Sequence, residues 1–318
     1  MTNLKKLVLI LSLLLSCTAS LGLAQTVDDL SGQRIVFLGD SITQNGTYVS
    51  HIQYFLEKSN PNETFDILGL GLSSETLSGL SEPNHAGGRF PRPCLFERLG
   101  RLLEKAHPDI VFACYGMNDG IYMPLNEERF GAFKKGVLDL LEACQVSGVE
   151  RIFLITPPIY DMPLDAGGFN YDSVLTHYAE WEQSQQQDRV HVIDLHTTMR
   201  AARATRDTPF SRDRVHPGEE GHWVIAQAVL RDLGLEPGLT GLADMKADPL
   251  YQAVAELRQH RSKSWMSHIG YTREKTVAPT PLSDTLEKEK SLRERIEVLK
   301  RQSVSYTHLT LPTKCWVE

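Results

Sequence analysis

The segment Arg34-Ile35-Val36-Phe37-Leu38-Gly39-Asp40-Ser41 decides which fold this sequence can adopt. Its apolar centre has the length and composition of a buried strand, and the run ends at Gly39. A polar pair, Asp40 and Ser41, follows directly. Because the end of a parallel strand holds a side chain rigidly at the sheet edge, Ser41 is a candidate nucleophile. An alternative is that Ser41 only caps a helix that follows the strand.

Strand and helix patterns alternate outward from this segment. Apolar runs typical of strands lie at 34–38, 65–70, 109–115, 151–156 and 190–193. Helical patterns lie at 47–57, 94–105, 127–146, 171–186 and 218–233. This alternation favours right-handed crossovers between parallel strands. It predicts an α/β fold, a three-layer α/β/α sandwich with a five-stranded parallel sheet.

The pattern changes after residue 235, where strand patterns end and charged helical sequence follows. Helices are predicted at 248–263 and 282–301. The second has Leu292, Ile296 and Leu299 on one face, so residues 236–302 are predicted to be a helical extension packed on the 25–235 domain by one stripe. The alternative is a helix that binds a partner.

The N-terminal residues 1–24 have the pattern of a signal peptide. A charged start precedes the apolar run 7–15, and small residues end at Ala24. We therefore expect cleavage near Ala24, export to the periplasm or beyond, and no transmembrane segment in the mature chain. Lipid attachment at Cys17 is the alternative.

Near the C-terminus, residues 304–313 look like a translated sequencing-library adapter, and the segment considered is 303–318; the alternative is an ordinary tail. We expect this segment to be an artefact rather than part of the natural protein.

Composition restricts the partners of the chain. The 318 residues carry a formal net charge of −7 and a pI of about 5.9, which weighs against binding a nucleic-acid backbone. The five cysteines have no zinc-ligand spacing and form no legible disulfide framework. We expect no metal and no cofactor. The sequence leaves the oligomeric state open.

Three predicted strand ends carry a glycine and then small or polar residues, and they meet at one edge of a parallel sheet. The segment 213–217 follows the last strand, and there His216 is the candidate base for Ser41. Asp213 could orient its imidazole. The oxyanion donors expected are the N–H groups of Ser41 and Gly71 and the amide of Asn118. Asp194 and His196 form a rival pair, read otherwise as a strand-end aspartate and an exposed histidine.

These segments resemble the SGNH, or GDSL-type, hydrolase superfamily. The resemblance is carried by four blocks in order: 39–43, Gly71, 116–119 and 213–216. It covers about residues 33–233. It implies a flavodoxin-like three-layer fold, a Ser41–His216–Asp213 triad, an oxyanion hole made by the donors named above, and no metal.

Substrate contacts are expected from the loop 82–93 and its neighbours. Arg89 and Arg92 could reach a substrate, as could Tyr122, although each also fits an ordinary surface or packing role. Asp40 is expected to accept N–H groups in its turn and is also a candidate for substrate contact.

The function predicted is that of a secreted serine esterase acting on small-molecule or polysaccharide esters, with O-acetylated carbohydrate as the expected substrate class. A lipase-like, lysophospholipase-like or aryl esterase is the nearest alternative. From a different class, the alternative is a non-catalytic carbohydrate-binding module on the same fold.

Overall fold

A computed structural model describes residues 27–163, 167–237 and 241–309, although the side chains of 27–28 and 303–309 are excluded. The predicted signal peptide, with Ala24 and Cys17, lies outside the described residues. The adapter-like segment does too, apart from helical backbone as far as Leu309. Within the described ranges, no helix is long and apolar enough to cross a bilayer.

The sheet has five parallel strands in the order β2-β1-β3-β4-β5. Phe37 of the central strand is in register with Gly69 on one side and Phe112 on the other. The predicted fold class is confirmed. The strands are β1 (Arg34–Gly39), β2 (Asp66–Gly69), β3 (Ile110–Cys114), β4 (Arg151–Ile155) and β5 (Val190–Ile193).

Helices cover both faces of the sheet. Successive side chains of a strand point to opposite faces, and in β1 both sets are apolar and buried, so each face needs a covering layer. In β1, Phe37 belongs to the apolar cluster on one face and Val36 to the cluster on the other. The helices are α1 (Ser41–Asn45), α2 (Thr47–Ser59), α3 (Leu99–Ala106), α4 (Glu127–Val146), α5 (Asp172–Gln183), α6 (Leu195–Ala204), α7 (Glu219–Asp232), α8 (Leu242–Ala247), α9 (Pro249–Ile269) and α10 (Leu286–Leu309).

The C-terminal helices share the core of the sheet domain. Buried side chains of α9, among them Leu250 and Leu257, join the same cluster as Phe37. At the edge strand, Arg261 of α9 donates to the carbonyl oxygen of Ile67 at 2.6 Å. The contact between residues 236–302 and the core is therefore broader than the single predicted stripe.

Two details of the C-terminal region differ from or extend the sequence prediction. A short antiparallel hairpin, β6 (Tyr271–Thr272) with β7 (Thr276–Val277), lies where no strand was predicted. In α10 the predicted stripe is present, with Leu292 and Ile296 buried.

Candidate active site

Ser41 is the first residue of α1, directly beyond the end of β1. The residue that caps this helix is Asp40, whose Oδ1 accepts a hydrogen bond from the N–H of Ile42 at 2.9 Å. Because Asp40 fills the capping role, the hydroxyl of Ser41 is not needed for it. The alternative prediction, that Ser41 caps the helix, is therefore wrong, since Asp40 is the cap.

A chain of hydrogen bonds connects Ser41, His216 and Asp213. Ser41 Oγ lies 2.8 Å from His216 Nε2, and His216 Nδ1 lies 2.6 Å from Asp213 Oδ2. The other oxygen of Asp213 accepts from the backbone N–H of Val215 at 3.0 Å and of His216 at 2.8 Å. If Nδ1 carries the proton, Nε2 is free to accept the proton of the serine hydroxyl.

The same contacts determine the charge of Asp213. Its partial burial raises the pKa, but the hydrogen bonds from the ring and backbone of His216 and from Val215 outweigh that effect. The pKa of Asp213 is therefore lower than its ordinary value, and the carboxylate is charged at neutral pH. A charged carboxylate at this place stabilises the imidazolium that forms when His216 takes a proton.

The rival pair has structural contacts instead. Asp194 caps α6 by accepting from the N–H of Thr197 at 3.1 Å. His196 is buried rather than exposed as expected. Its Nδ1 lies 3.1 Å from Pro157 O, and its Nε2 lies 3.1 Å from Thr176 Oγ1, so both ring nitrogens have partners within the protein. Burial lowers the pKa of His196.

Gly71 lies against the first turn of α1. A Cβ atom at this position would stand 2.2 Å from the backbone nitrogen of Gln44, so only glycine permits the contact. The neighbouring N–H groups of Leu70 and Leu72 donate to Phe37 O and Gly39 O. The N–H of Gly71, between them, has no hydrogen-bond acceptor among the residues that the structure describes. It is therefore available to a ligand.

Asn118 has a fixed amide orientation. Its Oδ1 accepts from Arg92 Nη1 at 2.8 Å and from the Tyr122 hydroxyl at 3.1 Å. Its Nδ2 donates to Asp40 Oδ2 at 3.3 Å and to Glu75 O at 3.2 Å. Both bonds from Nδ2 are longer than usual for an amide. An oxyanion beside Asn118 would compete with these two acceptors.

The two arginines of the loop 82–93 have different surroundings. The Arg92 side chain is only 5% exposed and forms two hydrogen bonds of 2.7 Å with Glu82. The Arg89 side chain is 65% exposed and lies 3.4 Å from Glu274. Arg92 is therefore a buried hydrogen-bond donor to Asn118, whereas Arg89 lies at the surface. Glu82 was not singled out from the sequence, although an acidic residue that begins an arginine-containing loop is a usable signal.

The carboxyl group of Asp40 is buried within the site. Its pKa is raised to about 7, chiefly by burial and further by the charges of Asp119 and Glu75, although the N–H of Ile42 and the charge of His216 lower it. Asp119 itself accepts N–H groups from Leu77 and Ser78 and so supports the loop.

A comparison of the sequence with models of protein families identifies the family of this chain. The model of the GDSL-like lipase/acylhydrolase family matches residues 37–224, more than half of the chain. The chain belongs to this family, which confirms the resemblance described above. No functionally curated protein matches it.

Several solved structures share the fold. The acetylxylan esterase Axe2 from Geobacillus stearothermophilus has a TM-score of 0.51 and 22% identity, with 65% of this chain and 96% of that chain covered. LAE5, an alpha/beta hydrolase enzyme from the metagenome of Lake Arreo, Spain, has a TM-score of 0.51 and 22% identity, covering 64% and 96%. A gut microbial diltiazem-metabolizing enzyme has a TM-score of 0.50 and 20% identity, covering 66% and 49%. At these identities the likeness is one of fold.

Proposed function

We propose that this protein is a serine esterase whose nucleophile is Ser41, with His216 as base and Asp213 as its orienting acid. The observation that carries the proposal is the continuous hydrogen-bond chain from Ser41 Oγ through both ring nitrogens of His216 to Asp213. A serine hydroxyl is a weak nucleophile until a base accepts its proton, and this geometry supplies the base.

The reaction that fits this geometry has two halves. Ser41 Oγ attacks the ester carbonyl carbon while His216 Nε2 takes the hydroxyl proton, and the same proton then passes to the departing alkoxide. The alcohol leaves and an acyl-serine remains. Water, deprotonated by His216, attacks the acyl-serine, releases the carboxylic acid and restores Ser41.

The charge that develops on the carbonyl oxygen needs donors. The N–H of Gly71 has no hydrogen-bond acceptor within the described ranges, and the N–H of Ser41, at the first position of α1, is one of the donors that the start of a helix leaves without an intrahelical partner. We assign the oxyanion to these two groups and to the amide of Asn118.

For the substrate we propose a short acyl ester, above all acetyl, on carbohydrate. The side chains of His216 and Asp213 are 53% and 57% exposed, so a bulky polymer can reach the reacting atoms. The neighbour from G. stearothermophilus is named an acetylxylan esterase, which supports the same substrate class. Export after cleavage near Ala24 is part of this proposal, because such polysaccharides lie outside the cell.

An esterase for longer acyl chains is the second candidate. The loop that follows Asn118 exposes two apolar side chains, Met123 at 44% and Leu125 at 37%. Exposed apolar residues in the loop that follows a proposed oxyanion donor would suit contact with an acyl chain.

The test compares turnover across substrates and variants. Acetate release from acetylated xylan is measured beside 4-nitrophenyl esters of increasing chain length. Ser41→Ala is expected to abolish hydrolysis of all of them, while Ser147→Ala, at an exposed serine after α4, retains it. Undiminished turnover by Ser41→Ala would exclude the nucleophile assigned here. Preference for long chains would favour the second candidate, and glycan binding without turnover would favour a binding module.

Export has a separate test. Expression of the full chain in a bacterial host is expected to give a periplasmic or secreted protein whose first residue, by mass spectrometry, is Gln25. A cytoplasmic protein that retains residues 1–24 would contradict this.

A further inference from the structure

A cavity of about 400 Å³ lies beside the proposed oxyanion site. One wall contains Gly71 and Gln44, the latter within α1, one helical turn beyond Ser41. The opposite wall is α9, which contributes Arg258, Ser262 and Lys263. The cavity therefore begins at the backbone that would bind the ester carbonyl and extends toward α9.

The charges around this cavity are all of one sign. Arg258 and Lys263 line it, and no carboxylate is among the described residues that do so. The chain as a whole has a net charge of −7, so a cationic cavity is against the trend of its composition. Such a cavity attracts anions.

Arg258 differs from the other buried cations of the described chain. Five lysine and arginine side chains are buried, and in four of them a carboxylate lies within 4 Å. Arg261, one turn further along α9, pairs with Asp66 and Glu289. Arg258 is 5% exposed, and its one side-chain hydrogen bond is from Nε to Ser50 Oγ at 3.0 Å. A buried guanidinium without a carboxylate is costly unless something else neutralises it.

A second polar group of this wall also lacks a partner. Ser262 Oγ is inaccessible to solvent and has no hydrogen-bond partner among the described residues. The guanidinium of Arg258 packs on Gly46, since a Cβ there would stand 2.7 Å from Nη1. Gly46 caps the C-terminal end of α1, and Ser41 is its first residue, so Arg258 packs against the end of α1 opposite to the proposed nucleophile.

We infer that this cavity is an anion-binding subsite, and that the preferred substrates are esters of acidic sugars whose carboxylate or sulfate group pairs with Arg258. The inference rests on the proposed esterase function and names its substrate class more narrowly. A planar guanidinium binds carboxylate or sulfate oxygens through two parallel hydrogen bonds, which also orients the sugar ring. Lys263, at the exposed mouth, adds a second positive charge.

The test uses matched acetylated sugars. kcat/KM is measured for acetylated methyl glucuronoside, acetylated methyl glucoside and acetylated methyl glucoside 6-sulfate. The wild-type protein is expected to prefer the acidic esters by about 10-fold or more, as for a hydrogen bond to a charged group. Whether the uronate or the sulfate ester is the better substrate identifies the source of the anion.

Three variants test the residues. Arg258→Gln is expected to reduce the acidic-to-neutral ratio by about 10-fold. Lys263→Glu, at an exposed position where folding is not at risk, is expected to reduce it by about 2- to 5-fold. Lys135→Gln, in an exposed pair with Asp139 on α4, is the control and should keep the ratio. A wild-type ratio near one, or a ratio unchanged in both cavity variants, would overturn the inference.

Calorimetry separates this inference from the esterase proposal. Free glucuronate is expected to bind the wild-type protein more tightly than glucose does, and Arg258→Gln to lose the difference. Hydrolysis of all three esters without preference would overturn the subsite and keep the esterase. Glucuronate binding without hydrolysis of any ester would overturn the esterase and keep the subsite.

Discussion

Arg92 and Asn118 are joined by a hydrogen bond of 2.8 Å from guanidinium to amide oxygen, although 26 residues separate them in sequence. The bond occupies the oxygen of the amide and so turns its NH₂ group toward Asp40. Glu82 holds the guanidinium in place with two further hydrogen bonds. The partly buried ion pair of Arg92 and Glu82 thus decides which way a proposed oxyanion donor faces.

Asn118→Ala is expected to lower kcat by about 10²–10³-fold with a smaller change in KM, since an oxyanion donor acts mainly in the transition state. Steady-state kinetics with 4-nitrophenyl acetate measure this. Asn84→Ala, at an exposed asparagine whose side chain forms no capping bond, is the matched control. A wild-type kcat in Asn118→Ala would remove this amide from the oxyanion hole.

Arg92→Gln is expected to reduce kcat by roughly 10-fold, because the amide of Asn118 loses the partner that orients it. Arg92→Lys keeps the charge but not the two-pronged pairing with Glu82, and should recover part of the loss. Arg89→Gln, in the same loop, should keep its kcat, since the Arg89 guanidinium is exposed. An effect on KM alone in Arg92→Gln would instead make Arg92 a substrate contact.

Asp40→Asn should change how stability depends on pH. With a folded pKa of about 7 against an ordinary value of 3.8, the folded protein retains a proton that the unfolded chain releases. The free energy of unfolding therefore falls as pH rises between these values, by up to about 4 kcal/mol for this one group. Asparagine still caps α1 but does not titrate, so the variant should lose that part of the decline.

Urea unfolding of both proteins at pH 4.5 and pH 7.5 measures the difference. The other buried carboxyl groups, Asp119 and Glu182 among them, are the same in both proteins and cancel. Equal pH dependence in the two proteins would mean that Asp40 is not protonated in the folded state near neutral pH.

Truncation after Gln302 should leave activity and thermal stability near those of the full chain. Among the residues of α10 whose side chains the structure describes, the last buried one is Lys300, which the truncation retains. Its ammonium lies 2.7 Å from Glu57 and 2.9 Å from Glu297. Lys300→Met, by contrast, leaves Glu57 buried without its cation and should cost roughly 3 kcal/mol of stability. Thermal unfolding checks both. A large loss on truncation would show that residues 303–318 contribute to the fold.

The parts of the structure that the sequence predicts are those with a short-range signal. The strands follow from apolar runs, and α4 was predicted with the same bounds because its apolar residues recur at helical spacing. Ser41 and His216 come from blocks in a characteristic order at strand ends, and the structure brings them within 2.8 Å.

The parts that sequence does not predict depend on distant contacts. From its sequence position His196 is predicted to be an exposed helix residue, but in the fold its ring nitrogens contact Pro157 and Thr176, which are 39 and 20 residues away in sequence. The two strands of the hairpin, β6 and β7, have only two residues each and are too short to show an alternating apolar and polar pattern. Arg258 has no carboxylate partner only because of where α9 lies, and a one-dimensional sequence contains no sign of a missing partner.

Strand β2 is one of the two edge strands of the sheet, and arginine side chains bind carbonyl oxygens in it and just beyond it. Arg261 of α9 binds the carbonyl of Ile67, and Arg98 binds that of Leu70 just beyond the strand. An uncovered edge strand is a template on which a second chain can add itself, which is how many proteins begin to form fibrils. Helix α9 thus protects this edge against self-association, and a chain shortened to residues 25–235 would be expected to precipitate.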